Sequence, residues 1–159
     1  MSEPAERIAA IDAADLGLKM SRFTADDAWS LGSHLRAVAA HRKAPVAILI
    51  RSSSGATLFA ASLDGASADN SKWAARKVAT ALWFERCSMA VGLEFKLRGL
   101  TLADFALPGE DYTIAPGAVP LRVAGAGCVA AIAMSGLSGA DDHELVMGAI
   151  GWLLQQQVE

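Results

Sequence analysis

Residues 119–134, VPLRVAGAGCVAAIAM, form the longest apolar stretch of the chain, and their reading decides the fold. A helix that crosses a bilayer needs about 20 consecutive apolar residues. This stretch is shorter, and Arg122, Gly125 and Gly127 interrupt it. Gly125-Ala126-Gly127 supplies the positive φ that a hairpin turn requires. The segments on either side, 119–123 and 128–134, are short and aliphatic, so they read as two buried strands joined by that turn. Ser135-Gly136 ends the second strand.

A second hairpin lies upstream. Residues 46–51 are β-branched and aliphatic, 52–55 have turn chemistry, and 57–61 make the partner strand. Helices surround both hairpins. Thr24 can cap free amides while Asp27 reaches back, and both Asp26 and Asp27 favour the positive helix end. Ala28, Leu31, Leu35 and Val38 then recur at helical spacing until Lys43-Ala44-Pro45. After a loop at 64–69, a second helix is predicted over 70–87 and a shorter one over 89–97, with a turn at 101–105. Residues 108–116 read as irregular. Ser138-Gly139-Ala140-Asp141 opens a last helix with a core side of Leu145, Ala149, Trp152 and Leu153. Hairpin strands with helices before, between and after them predict an α+β domain, an antiparallel sheet packed by helices. Residues 16–159 form this single domain, preceded by a flexible arm over 1–15.

Composition agrees with a globule. The 159 residues are 53% hydrophobic and 19% charged, which excludes disorder, with a mean hydropathy of +0.32. One domain of this length buries roughly 70% of the surface its unfolded chain exposes. The net charge of -3 argues against nucleic acid or an anionic membrane as partner. Two cysteines make no disulfide framework, and the acidic start MSEPAERIAAID has no apolar export core, so a cytoplasmic location is expected.

The helix over 70–87 carries the most functional information. Trp73, Arg76, Lys77, Thr80 and Phe84 fall on one side, and Ala75, Val78 and Leu82 on the other, as its core face. A helix apolar on two sides is covered twice, by its own sheet and by a second subunit or a ligand. Arg76 and Lys77 beside Trp73 suit a small anionic ring compound; the alternative is a solvated basic edge. His34 and His41 lie two turns apart, too far to share one metal, and no metal site is expected. His143 stands in the first turn of the last helix between Asp142 and Glu144. Adjacent helical residues point about 100° apart, so the three do not converge. Cys87 reads as an inert buried thiol. Dinucleotide, Walker, nucleophile-elbow and His-Glu-x-x-His motifs are absent.

The string Asn70-Ser71-Lys72-Trp73-Ala74-Ala75-Arg76-Lys77, followed by Phe84 and Ser88, resembles a signature of the haem-degrading HbpS/GlcG-like family. It is most similar to a cytoplasmic branch whose members mostly lack an assigned activity. Pro116-Gly117-Ala118-Val119-Pro120-Leu121, the apolar strand 128–136 ending in Ser-Gly, and Asp142-His143-Glu144 resemble later motifs of the same family, in order. The resemblance covers residues 16–156. Cys87 departs from it where the branch has serine, and Ala118 where glycine is common. It implies a profilin-like sandwich with an antiparallel sheet of about five strands, oligomers built from dimers, and haem binding or degradation in some relatives. Three functions follow as expectations. The first is a homo-oligomer, at least a dimer, that binds haem or another anionic ring through Asn70, Trp73, Arg76, Lys77, Ser135, Asp142 and His143. The second is an oligomeric scaffold or adapter without catalysis. The third is a haem-degrading enzyme with an axial ligand from His34, His41 or His143.

Overall fold

Both hairpins join a single sheet in the computed structural model, which describes residues 2–158. The chain runs through α1 (Glu3–Leu16), β1 (Lys19–Met20), α2 (Ala25–His41), β2 (Ala47–Ser52), β3 (Thr57–Ser62), α3 (Ala68–Phe84), α4 (Ser88–Arg98), a 3-10 turn (Leu102–Phe105), β4 (Ala118–Val123), β5 (Gly127–Ser135) and α5 (Gly139–Val158). The strand order is β1-β4-β5-β2-β3. The pairings β2/β3, β2/β5 and β4/β5 are antiparallel, as expected for an α+β fold packed by helices. The edge strand β1 is an addition: two residues, parallel to β4, with Lys19 opposite Arg122. A two-residue strand has no period to read.

Side chains alternate across a strand, and here each face receives a different residue size. Ile48 and Ile50 of β2, Val119 and Leu121 of β4, and Ile132 and Met134 of β5 point to one face. There they meet Leu31 and Leu35 of α2 and Val146, Ile150 and Leu153 of α5. The other face presents Ala118, Ala131 and Ala133, with Leu49, to Ala74, Val78 and Ala81 of α3. Small residues on both surfaces bring α3 close to the sheet. Both faces are covered, so these strands read as continuous apolar runs without polar alternation.

The caps fix where helices begin. Thr24 Oγ1 accepts from Asp27 N–H at 3.1 Å and Asp27 accepts from Thr24 N–H at 2.9 Å, the predicted box. The box of α3 is Ser67 with Asn70, so this helix starts two residues before the expected 70. It also ends early, at Phe84, because Glu85 turns left-handed at φ 51°. Its inward stripe is Ala74, Val78 and Ala81, with Ala75 and Leu82 only half-buried at its flanks. In α5, Asp142, His143, Val146 and Ile150 are buried beside Ala149 and Leu153, whereas Leu145 and Trp152 are half-buried.

Of the arm expected over 1–15, residue 1 lies outside the described residues, and from Glu3 onward the chain forms the helix α1. Ser2 caps it by accepting from Ala5 N–H at 3.3 Å, and Pro4 stands in its first turn. Buried Asp15 pairs with Arg122 of β4, and Asp12 pairs with Arg86 at 2.9 Å. Arg86 also holds Glu94 of α4 at 2.9 Å. The same Arg122 donates to the Glu85 carbonyl at the end of α3. Periodicity cannot reveal such docking, since the two partners of the inner pair lie 107 residues apart.

Docking of α1 has a measurable consequence. Asp15→Ala leaves a buried guanidinium without its carboxylate and should lower unfolding free energy by about 3 kcal/mol. Urea denaturation reads this directly; an unchanged midpoint would mean that the Asp15–Arg122 pair adds nothing to the folded state.

Candidate functional site

The N-termini of α3 and α5 meet where β5 ends and β4 begins. Between them lies a cavity of about 340 Å³, lined among others by Asn70, Trp73, Lys77, Ser135, Gly136 and Asp142. Lys77 forms its floor. Its side chain leaves α3, crosses the alanine face and donates from Nζ to the Met134 carbonyl at 3.0 Å and to Asp142 Oδ2 at 3.1 Å. The other oxygen of Asp142 accepts from Leu137 N–H at 3.2 Å. Gly117, at φ +134°, makes room: a Cβ there would stand 2.8 Å from Lys77 Nζ and 2.6 Å from the Met134 carbonyl.

Burial decides the electrostatics of this pair. It pushes the Lys77 ammonium below its usual value, with Asp142 opposing the shift, and pushes the Asp142 carboxyl up, with Lys77 opposing. The pair is neutral as a unit. Lys77 is therefore not the free cation beside Trp73 that the helical wheel suggests; it is only 4% exposed and already partnered. The rim is more open. Trp73 donates its indole N–H to Asp69 at 3.0 Å, and the Arg76 guanidinium stacks over the ring 4.1 Å from its centroid. Arg76 Nε also donates to the Tyr112 carbonyl at 3.2 Å.

Five of the seven residues singled out in the sequence thus line one cavity: Asn70, Trp73, Lys77, Ser135 and Asp142. Arg76 lines a neighbouring groove of about 680 Å³, together with Arg51, Lys72, Glu110 and Tyr112. His143 lines neither. It points away from its neighbour Asp142, is 5% exposed, and leaves Nδ1 buried without a hydrogen-bond partner. The remaining histidines are elsewhere, His34 stacked on Trp152 at 3.9 Å and His41 exposed. Among the described residues no group of three His, Cys, Asp or Glu is placed to hold a metal. Both cysteines are free, and burial pushes both thiols up, Cys87 the more deeply buried of the two.

Sequence reasoning missed Asp69, Pro116, Gly136 and Gly139 at the cavity wall. The signal that finds them is the cap: Ser67 and Ser138 both open helices at this end of the sheet. The lining also bears on haem. It contains no imidazole, thiol, thioether or phenol, the usual axial donors to haem iron, and its one amine is held by Asp142; an indole, an amide and a hydroxyl suit a ring and its carboxylates instead.

Residues 23–151 match the model of the family described as haem degrading protein HbpS-like. A UPF0303 protein of Paraburkholderia xenovorans is 45% identical over 141 residues, covering 88% of this chain and 85% of the relative. Among solved structures, the Ybr137w protein superposes with a TM-score of 0.83 at 26% identity, over 94% of this chain and 92% of that one. A PduOC–haem complex superposes with a TM-score of 0.70 at 19% identity, over 81% and 93%, and shares the fold.

The isolated imidazole of His143 gives the molecule a pH dependence. Burial lowers its pKa, against the pull of Glu144 and Asp15. The unfolded chain, with an imidazole pKa of about 6.5, therefore takes up a proton before the folded one does. Stability is kept above that value and lost as pH falls through it toward the folded pKa. Wild type should lose unfolding free energy between pH 7 and 5.5 with a slope of up to about 1.4 kcal/mol per pH unit. Urea titrations of His143→Gln should show a flatter dependence over the same range, and an identical slope would assign the loss to other groups.

Proposed function

Because the chain belongs to the haem degrading protein HbpS-like family, we propose that it binds a small anionic ring compound in the cavity between α3 and α5. The observation that carries this reading is that residues from three separated motifs, 70–77, 135 and 142, line one cavity. Its volume of about 340 Å³ falls in the range of ligand sites, roughly 300–1,000 Å³. Trp73 offers a flat face to a ring. The Lys77 charge is balanced by Asp142, so attraction for a carboxylate comes from the two helix N-termini and from Arg76 at the rim. Haem is the family's candidate, held by its ring and propionates. No step of haem turnover is assigned to these residues, since none of them is a usual axial donor to haem iron. The two free thiols, Cys87 and Cys128, support a reducing, cytoplasmic setting.

Titration with haem and with metal-free protoporphyrin, followed by absorbance and tryptophan fluorescence, tests the reading. Both should saturate near one equivalent, with affinities of the same order. Trp73→Ala should weaken both about tenfold, on the order of 1.4 kcal/mol, with an unchanged melting temperature. Arg76→Lys should weaken both as well, because lysine has no planar fork. A featureless partition curve for either porphyrin would end the proposal.

A homo-oligomer, at least a dimer, is part of the same reading and also serves the alternative of a scaffold. Trp29 on α2 and Trp83 on α3 are 66% and 58% exposed, large apolar surfaces for a lone chain of 16.5 kDa. Light scattering at micromolar concentration should give at least twice that mass, and a monomeric mass would remove the oligomer.

A further inference from the structure

Five lysines occur in the chain, and four of them, Lys19, Lys43, Lys72 and Lys96, are exposed. Lys77 is buried, yet it forms the wall of a cavity. A buried ion pair that only braces two helices has no need of an adjoining cavity. Here the amine has a carboxylate at 3.1 Å, a serine hydroxyl lining the same space and an indole at the rim. Two of its three N–H groups are used, by Met134 and Asp142, and the third has no partner among the described residues.

We infer that Lys77 is a nucleophilic amine that forms an imine with an aldehyde or ketone carrying an anionic group. The inference rests on the cavity being a ligand site, as proposed above, and adds the class of ligand. Asp142 first takes a proton from the ammonium. The freed nitrogen pair attacks the carbonyl carbon, a C–N bond forms, and the C=O π pair moves to oxygen, which receives the proton from Asp142. The nitrogen then returns a proton to Asp142, and Asp142 delivers it to the hydroxyl as the C–O bond breaks and water leaves. One ammonium and one carbonyl become one protonated imine and one water, and Asp142 ends as the carboxylate it began as. Ser135 lines the same cavity and would offer its hydroxyl to the carbonyl oxygen. Burial suits the exchange: it weakens the hold of Lys77 on its proton and strengthens that of Asp142, which brings the two groups toward a common value. The two helix N-termini and Arg76 would receive the anionic group.

The probe is pyridoxal 5′-phosphate, a flat anionic aldehyde, added to the intact chain, reduced with borohydride and mapped by peptide mass. The expected result is one label per chain, on Lys77, formed at least about tenfold faster than on any exposed lysine. Asp142→Asn should slow that labelling while the exposed lysines react as before. Pyridoxine 5′-phosphate, the corresponding alcohol, is titrated in parallel by tryptophan fluorescence. Label spread over Lys19, Lys43, Lys72 and Lys96 with Lys77 unmodified overturns the imine. If the alcohol still quenches tryptophan and protects nothing at Lys77, the cavity binds without covalent chemistry; if it does not bind either, the cavity reading falls with the imine for this class of ligand. The wild-type map alone decides the matter should the variant fail to fold.

Discussion

The structure depends on one constraint, that the two faces of its sheet are filled by side chains of different size. Isoleucine, leucine and methionine fill the face under α2 and α5, and alanines fill the face under α3. A packed interior tolerates few voids, so alanine on both surfaces forces the backbones of α3 and the sheet together. That approach sets the reach of everything attached to α3. A lysine stem on a helix held this close spans the strand end and finds both a carbonyl and a carboxylate. On a helix standing off by the width of a leucine, the same stem would stop short. Gly117 follows from the same closeness, since nothing larger fits beneath the lysine head.

Most of the fold was legible because it is written in short-range signals. The Thr24–Asp27 box, the glycine turn at 125–127 and the two apolar hairpins each declare themselves within a few residues, and all are present. What escaped is long-range. The docking of α1 rests on Asp15 meeting Arg122, and β1 on a two-residue pairing, neither of which leaves a periodic trace. The helical wheel of α3 placed Lys77 opposite the core face, as a cation free for a ligand, for a similar reason. A wheel sorts residues by apolarity, and a lysine buried by a distant aspartate violates that sorting. Trp73, Asn70, Ser135 and Asp142 share one cavity because their helices and strand end at the same edge of the sheet. His143 lies outside that lining, because residues adjacent in sequence on a helix diverge in space.

Among the described residues, two buried ion pairs stand at opposite ends of β4. Lys77–Asp142 joins the middle of α3 to the start of α5, and Arg122–Asp15 joins the far end of β4 to α1. Neither pair is needed to drive collapse, since a buried ion pair adds little over apolar residues of the same volume. What both supply is alignment, because each fixes a helix end against one particular strand.

The neutral unit formed by Lys77 and Asp142 also shapes how this molecule can change over generations. Replacing either partner alone strands the other charge indoors at about 3–5 kcal/mol, a large part of the 5–15 kcal/mol that holds a domain together. Only a paired exchange avoids that valley, so drift at positions 77 and 142 is blocked in single steps. Trp73 and Arg76 stand at the mouth of the cavity with no buried charge to strand, each open to replacement one at a time. Lineages sharing this scaffold can therefore diversify what enters while the floor of the cavity stays constant.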